Sequence, residues 1–205
     1  MILDLGLIEY EEAYSLQRKM VSKRKLGEIN DTIVLCVHPS VFTIGRTGKF
    51  ENLLSNSAGL NVIRVDRGGD ITYHGPGQIV AYPILDLKKL GLNLHSYIRL
   101  LELTAISFLD EYGIIGGRKA GLTGVWVGDK KIASIGVSAS SWISFHGMSI
   151  NLNTELEYFA MINPCGIRGC AATSLNQLLN KEVDESQSKN MLVRAFEREF
   201  NTWCS

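Results

Sequence analysis

The sequence has no CxxC pair, only four prolines, no surplus of either charge, and no apolar run near the roughly 20 residues that span a bilayer. Each absence removes a class of protein. The four cysteines, Cys36, Cys165, Cys170 and Cys204, do not make a disulfide framework in a chain of 205 residues. A zinc site from Cys165, Cys170 and a histidine is conceivable from ligand type, but the spacing does not suggest one, and no metal is expected. Lys+Arg and Asp+Glu number 21 each, so no global field recruits nucleic acid, and an acidic partner would need a local basic patch. Residues 1–6 lack a positive n-region and soon meet Glu9, Glu11 and Glu12, which is not the pattern of a signal peptide. The expectation is a soluble, cytoplasmic protein, organellar if a transit peptide has been removed. No membrane or nucleic-acid partner is expected and, since no long apolar seam is left over, the chain is expected to be a monomer. Length and composition fit one domain over 1–205, and no repeat, linker or low-complexity segment interrupts it.

What the chain does have is concentrated in Arg67-Gly68-Gly69-Asp70-Ile71-Thr72-Tyr73-His74-Gly75-Pro76-Gly77-Gln78. Before it, 61–65 alternates apolar and polar side chains, as a half-buried strand does; after it, 79–85 is a nearly continuous apolar run, as in a strand covered on both faces. Glycine serves positive φ and close approach of a ligand to the backbone. A pair of tight turns would explain any one Gly-Gly or Pro-Gly. Arg, Tyr, His and Gln threaded among the glycines point instead to a binding loop.

The flanking chain reads as strands mixed with helices. A helix is expected over 10–26 with Ala13, Leu16, Met20 and Val21 on its apolar side; Lys19, Lys23, Arg24 and Lys25 near its end complement the dipole on a solvated face. Strands are expected at 32–37 and 41–44, a helix over 94–112 with Gly113 closing it, then strands at 124–127, 131–138 and 142–152, the first two joined by a hairpin at Gly128-Asp129-Lys130. Helical segments follow at 156–161, 173–179 and 185–200. Hairpins among helices indicate an α+β fold with a mixed sheet. The run Gly45-Arg46-Thr47-Gly48-Lys49 lacks the glycine spacing and terminal Ser/Thr of a phosphate loop and is set aside.

Candidate chemistry lies in two further places. Cys165 sits in Asn163-Pro164-Cys165-Gly166-Ile167-Arg168, where Pro and Gly favour an exposed turn; a thiol there beside Arg168 is either a reactive thiolate or an inert loop cysteine. Lys131 opens a run of small side chains, Ile132-Ala133-Ser134-Ile135-Gly136. It is either solvated, as Lys130 should be, or turned inward, where its ammonium would lower a nearby thiol's pKa and move protons. His74 and His146 are alternative acid–base groups, so a Cys–His hydrolase dyad stays open at this point.

Taken in order, these segments resemble the lipoyl(octanoyl) transferases, the octanoyl-[acyl carrier protein]–protein octanoyltransferases. The resemblance runs through most of the chain: His38-Pro39 with Thr43-Ile44-Gly45-Arg46, the loop from Arg67 to Gln78, Thr123-Gly124-Val125-Trp126, Lys131 through Gly136, Phe145-His146-Gly147, and Pro164-Cys165-Gly166. Asp70 stands where the family usually has Gln or Glu. The resemblance implies a fold similar to the catalytic domains of biotin and lipoate protein ligases. It implies Cys165 as the acyl-accepting nucleophile and Lys131 as its activating partner. It also implies an acyl-substrate site lined by Arg67, Gly68, Gly69, Asp70, Ile71, Thr72, Tyr73 and His74, by Ser134, Ile135 and Gly136, and by Gly147, Met148 and Ser149.

The reaction so implied moves an octanoyl or lipoyl group from acyl carrier protein to a lysine of a lipoyl domain, through a Cys165 thioester and without a cofactor. Acceptors would be the lipoyl domains of 2-oxoacid dehydrogenase complexes and the glycine cleavage H protein. An acidic carrier would meet a local basic patch, with Arg46 and Lys49 or Lys88 and Lys89 as candidates. Two alternatives are an ATP-dependent lipoate or biotin ligase on the same fold and a non-catalytic lipoyl-domain-binding module. Pro164-Cys165-Gly166 argues against the first, and the joint presence of Cys165 and Lys131 against the second.

Overall fold

A computed structural model of the chain describes residues 1–54, 59, 61–163 and 171–203. It begins with strand β1 (Ile2–Leu7), helix α1 (Tyr10–Leu26) and strands β2 (Thr32–Val37) and β3 (Val41–Ile44). Then come β4 (Val62–Arg64), β5 (Ile71–His74), β6 (Gln78–Ile84) and helix α2 (Leu94–Asp110). The last part holds β7 (Gly117–Lys119), β8 (Leu122–Val127), β9 (Lys130–Ser140), β10 (Ile143–Asn151), a 3-10 segment Leu156–Met161, and helices α3 (Leu175–Leu179) and α4 (Glu185–Trp203). The fold is α+β, as expected, but among the described residues its strands form two sheets. A seven-stranded mixed sheet runs β1-β2-β6-β10-β9-β8-β7, with only β1 and β2 parallel. A three-stranded sheet runs β4-β3-β5.

The centre of the large sheet is buried on both faces: every residue of β6 and β10 is buried. Side chains alternate across the pleat. Ile79 and Ala81 of β6 join Leu100, Leu101, Phe108 and Phe196 from α2 and α4 on one face, while Val80, Tyr82 and Ile84 join Ala13, Met20 and Val21 of α1 on the other. Proline is rare in a central strand because it cannot donate to the ladder. Pro83 fits because the β6–β10 backbone ladder stops at Ala81↔Met148: no amide is needed from Pro83 on that side, where its carbonyl accepts from the Ser144 hydroxyl of β10 at 2.6 Å.

Several local expectations are corrected. Residues 71–74 are not loop: they form β5, all four buried, the edge of the small sheet. The edge strands β1 and β7 had no strong sequence signal. The stretch 156–161 is 3-10 rather than α. Within the basic end of α1, Lys19, Lys23 and Lys25 are exposed as expected, but Arg24 is buried. Its Nε donates to Asp31 at 2.7 Å and its other end reaches Asp86 at 3.7 Å, so it ties α1 to the chain before β2 and after β6. Among the described residues no helix is long and apolar enough to cross a membrane.

The small sheet buries its own core, Phe42, Ile44, Ile71 and Tyr73, against Phe159 and Ile162. It is joined to the large sheet by the bond from the Gly68 amide to the Val137 carbonyl, 2.9 Å. Between the two sheets lies a cleft.

Candidate active site

The cleft, about 530 Å³ of empty space counted out to its open mouth, collects residues from five places in the chain. Arg67, Gly69 through Thr72 and His74 contribute from the glycine-rich segment and β5, Lys131 and Ser134 through Gly136 from β9, and His146 through Ser149 from β10; Tyr10 enters from α1 and Val80 and Tyr82 from β6. Of the residues expected in the acyl site, all but Gly68 and Tyr73 line it. Gly68 is engaged through its backbone, and the Tyr73 ring stacks on Tyr158 at 4.5 Å, in the core of the small sheet.

Arg67 is held by its own surroundings. Its Nε and one terminal nitrogen donate to Thr43 Oγ1 at 3.1 and 2.9 Å, that nitrogen also to the Thr43 carbonyl at 2.7 Å, and the other to the Gly68 carbonyl at 3.0 Å. A guanidinium is a rigid planar fork, so these bonds fix its plane as well as its position. Asp70 looks like a charge for the cleft, but its carboxylate is spent on the turn behind, accepting from the amides of Lys49 and Ile71 at 3.2 and 2.7 Å.

Three histidines surround Tyr10. The His38, His74 and Tyr10 rings lie within 6 Å of one another, and the Tyr10 hydroxyl is 3.5 Å from His146 Nδ1. Their tautomers follow from partners that can only accept. His38 Nδ1 lies 2.8 Å from the Ile8 carbonyl, so Nδ1 carries the proton and Nε2 accepts from the Tyr82 hydroxyl at 2.8 Å. His146 Nε2 donates to Asp66 Oδ1 at 2.8 Å, an oxygen that Tyr14 also donates to at 2.8 Å. Burial pushes the Asp66 carboxyl upward, but the bonds from His146 and Tyr14 outweigh it and hold the group below the usual range. His74 Nδ1 donates to Gln78 Oε1 at 2.8 Å; Gln78 Nε2 donates to Asn151 Oδ1 at 2.9 Å and to the Tyr73 carbonyl at 3.3 Å; Asn151 Nδ2 donates to the Thr173 carbonyl at 2.9 Å. The backbone carbonyls at the ends set the direction of both amides, and the amides set the His74 tautomer.

Burial favours the neutral form of all three imidazoles. Burial drives the His74 pKa down to about 3 and that of His146 to about 4, and lowers that of His38. This resolves His146 as a neutral, carboxylate-paired ring at the wall of the cleft. Its backbone takes φ of 55°, unusual for a non-glycine residue, and its amide donates to the buried Gln17 side chain at 2.8 Å.

Lys131 is turned inward. Strand alternation leaves Lys130 exposed and Lys131 only 7% exposed, lining the cleft with Nζ 5.1 Å from the centre of the Trp126 ring. The room for it is made by Gly124, at φ 129°: a Cβ there would lie 2.6 Å from Lys131 Cε and from the Ala133 carbonyl. The Gly124 amide donates at 3.1 Å to Glu102 Oε1, and Glu102 Oε2 accepts from Arg99 at 2.6 Å and Arg118 at 2.9 Å. The Lys131 backbone is tied to residues after 170: its amide donates to the Ala171 carbonyl at 2.8 Å, and its carbonyl accepts from the Thr173 amide at 2.9 Å.

Cys165 and Cys170 lie outside the described residues. Cys36 is a core residue, its thiol pushed up to about 12 by burial. Among the described residues no group of three or more His, Cys, Asp or Glu is placed to hold a metal ion. Sequence reasoning missed Tyr10, Tyr82, Asp66 and Glu102. Tyr10 and Asp66 meet His146 from 136 and 80 residues away, and no local pattern announces such a meeting.

Residues 9–197 match the lipoyl protein ligase A/B catalytic domain family. The octanoyltransferase of Syntrophotalea carbinolica is 44% identical over 202 residues, covering 98% of this chain and 95% of that one. Among solved structures, lipoate-protein ligase A bound with ATP superposes with a TM-score of 0.76 at 16% identity, over 98% of this chain and 85% of that one. The biotin protein ligase of Aquifex aeolicus gives 0.59 at 14% identity, over 99% and 70%. At such identities the two ligases speak for the fold alone, whereas the octanoyltransferase likeness extends along almost the whole sequence. The chain belongs to the lipoyl protein ligase A/B catalytic domain family and, within it, to the octanoyltransferases, which are acyltransferase enzymes.

Proposed function

We propose that the chain, as one catalytic domain over 1–205, transfers an octanoyl or lipoyl group from acyl carrier protein to a lysine of a lipoyl domain, through a thioester on Cys165. The observation that carries this reading is Lys131: a buried lysine in the cleft, bonded through its backbone to Ala171 and Thr173, just beyond the segment that contains Cys165. The membership in the octanoyltransferases supports the acyl group and the transfer chemistry.

In the first step the Cys165 thiolate attacks the thioester carbonyl, a new C–S bond forms, and the bond to the carrier's pantetheine sulfur breaks. Lys131 supplies the positive charge that favours the thiolate and gives the departing sulfur its proton. In the second step the acceptor amine attacks the acyl-enzyme; a C–N bond replaces the C–S bond, and the proton lost by nitrogen returns to the Cys165–Lys131 pair. Thioester exchange is nearly isoenergetic and an amide is far more stable than a thioester, so the sequence runs forward without ATP. The acyl chain is placed against the apolar lining, Ile71, Val80, Ile135 and Met148, where each buried methylene contributes about 0.8 kcal/mol.

The acceptors are the lipoyl domains of 2-oxoacid dehydrogenase complexes and the glycine cleavage H protein, and the enzyme acts as a cytoplasmic monomer. Intact mass after mixing with octanoyl-acyl carrier protein in the absence of ATP tests the route. One octanoyl increment is expected on the wild type, none on Cys165→Ser, and the increment should disappear on adding a lipoyl domain. Transfer that appears only with octanoate and ATP would overturn the proposal in favour of a ligase.

A further inference from the structure

The second step needs a place for the incoming amine, and β5 offers one. Thr72 and His74 are two residues apart on this strand, so they face the same way, and both line the cleft. Thr72 is only 8% exposed, yet its hydroxyl has no hydrogen-bond partner among the described residues. An unmade bond at a buried hydroxyl is costly unless something else makes it. His74 is committed through Nδ1 to the chain of amides ending at Thr173, so Nε2 keeps its lone pair, and no described residue donates to it.

The sign of that nitrogen selects the ligand. An oxyanion, a departing thiolate or a carboxylate would meet lone pair against lone pair at Nε2. A group with N–H bonds to give fits it, and the Thr72 hydroxyl can accept a second one. The Arg67 guanidinium, in the same cleft, disfavours an ammonium and so favours the amine in its neutral form, the form that attacks. The neutrality of His74 follows from its burial and agrees with this role.

We propose that Thr72 Oγ1 and His74 Nε2 form the seat of the acceptor lysine, each accepting one of its N–H bonds while the nitrogen lone pair points at the acyl carbon. This rests on the acyl-transfer reading above and assigns the two residues to its second half. The bookkeeping of that half is unchanged: C–N forms, C–S breaks, the thiol of Cys165 is regenerated, and His74 orients the amine without taking its proton.

The two half-reactions separate the possibilities. In Thr72→Val and His74→Phe, loading of Cys165 by octanoyl-acyl carrier protein, followed by intact mass, is expected to slow by a clearly smaller factor than discharge, since both residues also line the cleft that takes the acyl group. Discharge of the isolated octanoyl-enzyme to a lipoyl domain should slow at least tenfold, and Thr72→Ser should recover most of it. Val is close in shape to Thr and removes an unpartnered hydroxyl, so this variant should fold; thermal melting checks it. Equal slowing of both halves, or slowing of loading alone, would overturn the seat and hand these residues to the donor. Unchanged discharge in both variants would overturn it as well. Absence of any adduct on the wild type is a different failure, that of the transfer reading itself.

Discussion

Lys131 and Trp126 pair across the β8–β9 ladder, and the lysine ammonium stands 5.1 Å from the centre of the indole ring. A cation over an aromatic face in a desolvated site gains roughly 2 kcal/mol, and the ring also fixes where a four-carbon side chain ends. Trp126→Leu is therefore expected to slow octanoyl transfer about tenfold, equivalent to about 1.4 kcal/mol in the barrier. Trp126→Phe should lose less than threefold. Steady-state transfer to a lipoyl domain, beside a melting curve for each variant, checks this; equal rates in all three proteins would contradict it.

Glu102 and Gly124 hold the floor on which Lys131 lies. Gly124→Ala places a methyl against Lys131 Cε and the Ala133 carbonyl at a φ that alanine rarely adopts. Overpacking and backbone strain together should cost about 2–3 kcal/mol in urea denaturation. Glu102→Ala leaves Arg99 and Arg118 without their shared carboxylate; both side chains are 38% exposed and can turn to water, so the expected loss is about 2 kcal/mol rather than the full value for a buried pair. A Glu102→Ala protein as stable as wild type would remove the carboxylate from this account.

Gly147→Ala tests the close approach of the strands at the cleft. A Cβ at 147 would collide with the Ala81 carbonyl and lie 2.8 Å from Pro83 Cδ, both on the neighbouring strand. The clash is with backbone and cannot be relieved by a rotamer change. The expected outcome is a loss of more than about 3 kcal/mol or failure to fold, read from the denaturation midpoint or the soluble yield.

Acid should destabilise the protein through its buried histidines. His74 and His146 titrate at about 3 and about 4 in the folded chain, against about 6.5 when unfolded. Below about pH 6.5 the unfolded chain takes up protons that the folded chain refuses. Their stability is thus whole above that pH and falls away as the pH drops towards the folded values. Between pH 6.5 and 5 each should cost roughly 2 kcal/mol, and His38, also lowered by burial, adds in the same direction. Urea midpoints at pH 7 and pH 5 measure the sum; equal midpoints would mean that these rings are charged in the native state.

Much of the fold could be read locally. The 3.6-residue spacing of Ala13, Met20 and Val21 marks α1 with the bounds observed, and Gly128-Asp129 joins β8 and β9 as a tight turn should. The density of glycine, arginine and histidine at 67–78 leads to the cleft, and strand alternation decides which of Lys130 and Lys131 enters it. Where local reading failed, tertiary structure had the deciding vote. β5 is only four residues long and sits among glycines, so its strand character comes from pairing with β3. Arg24 looks like one more cation at a helix end, and only Asp31 and Asp86 make it a buried one. Tyr10, Asp66 and Glu102 are ordinary residues for their elements until distant strands bring them their partners.

The bond from Asn151 to the Thr173 carbonyl has a consequence for the order of biosynthesis. His74 is polarised through Gln78 and Asn151, on β6 and β10, and the chain of donors ends at residue 173. A nascent polypeptide that has exposed α1, the glycine-rich segment and β6 therefore has the parts of a cleft but not its chemistry. The last two links join residues 73 and 22 apart, so neither can be made until the later partner has been synthesised. A chain truncated before residue 173 can display most of the lining and still lack the last link of this relay, so an active enzyme reports that synthesis has passed that point.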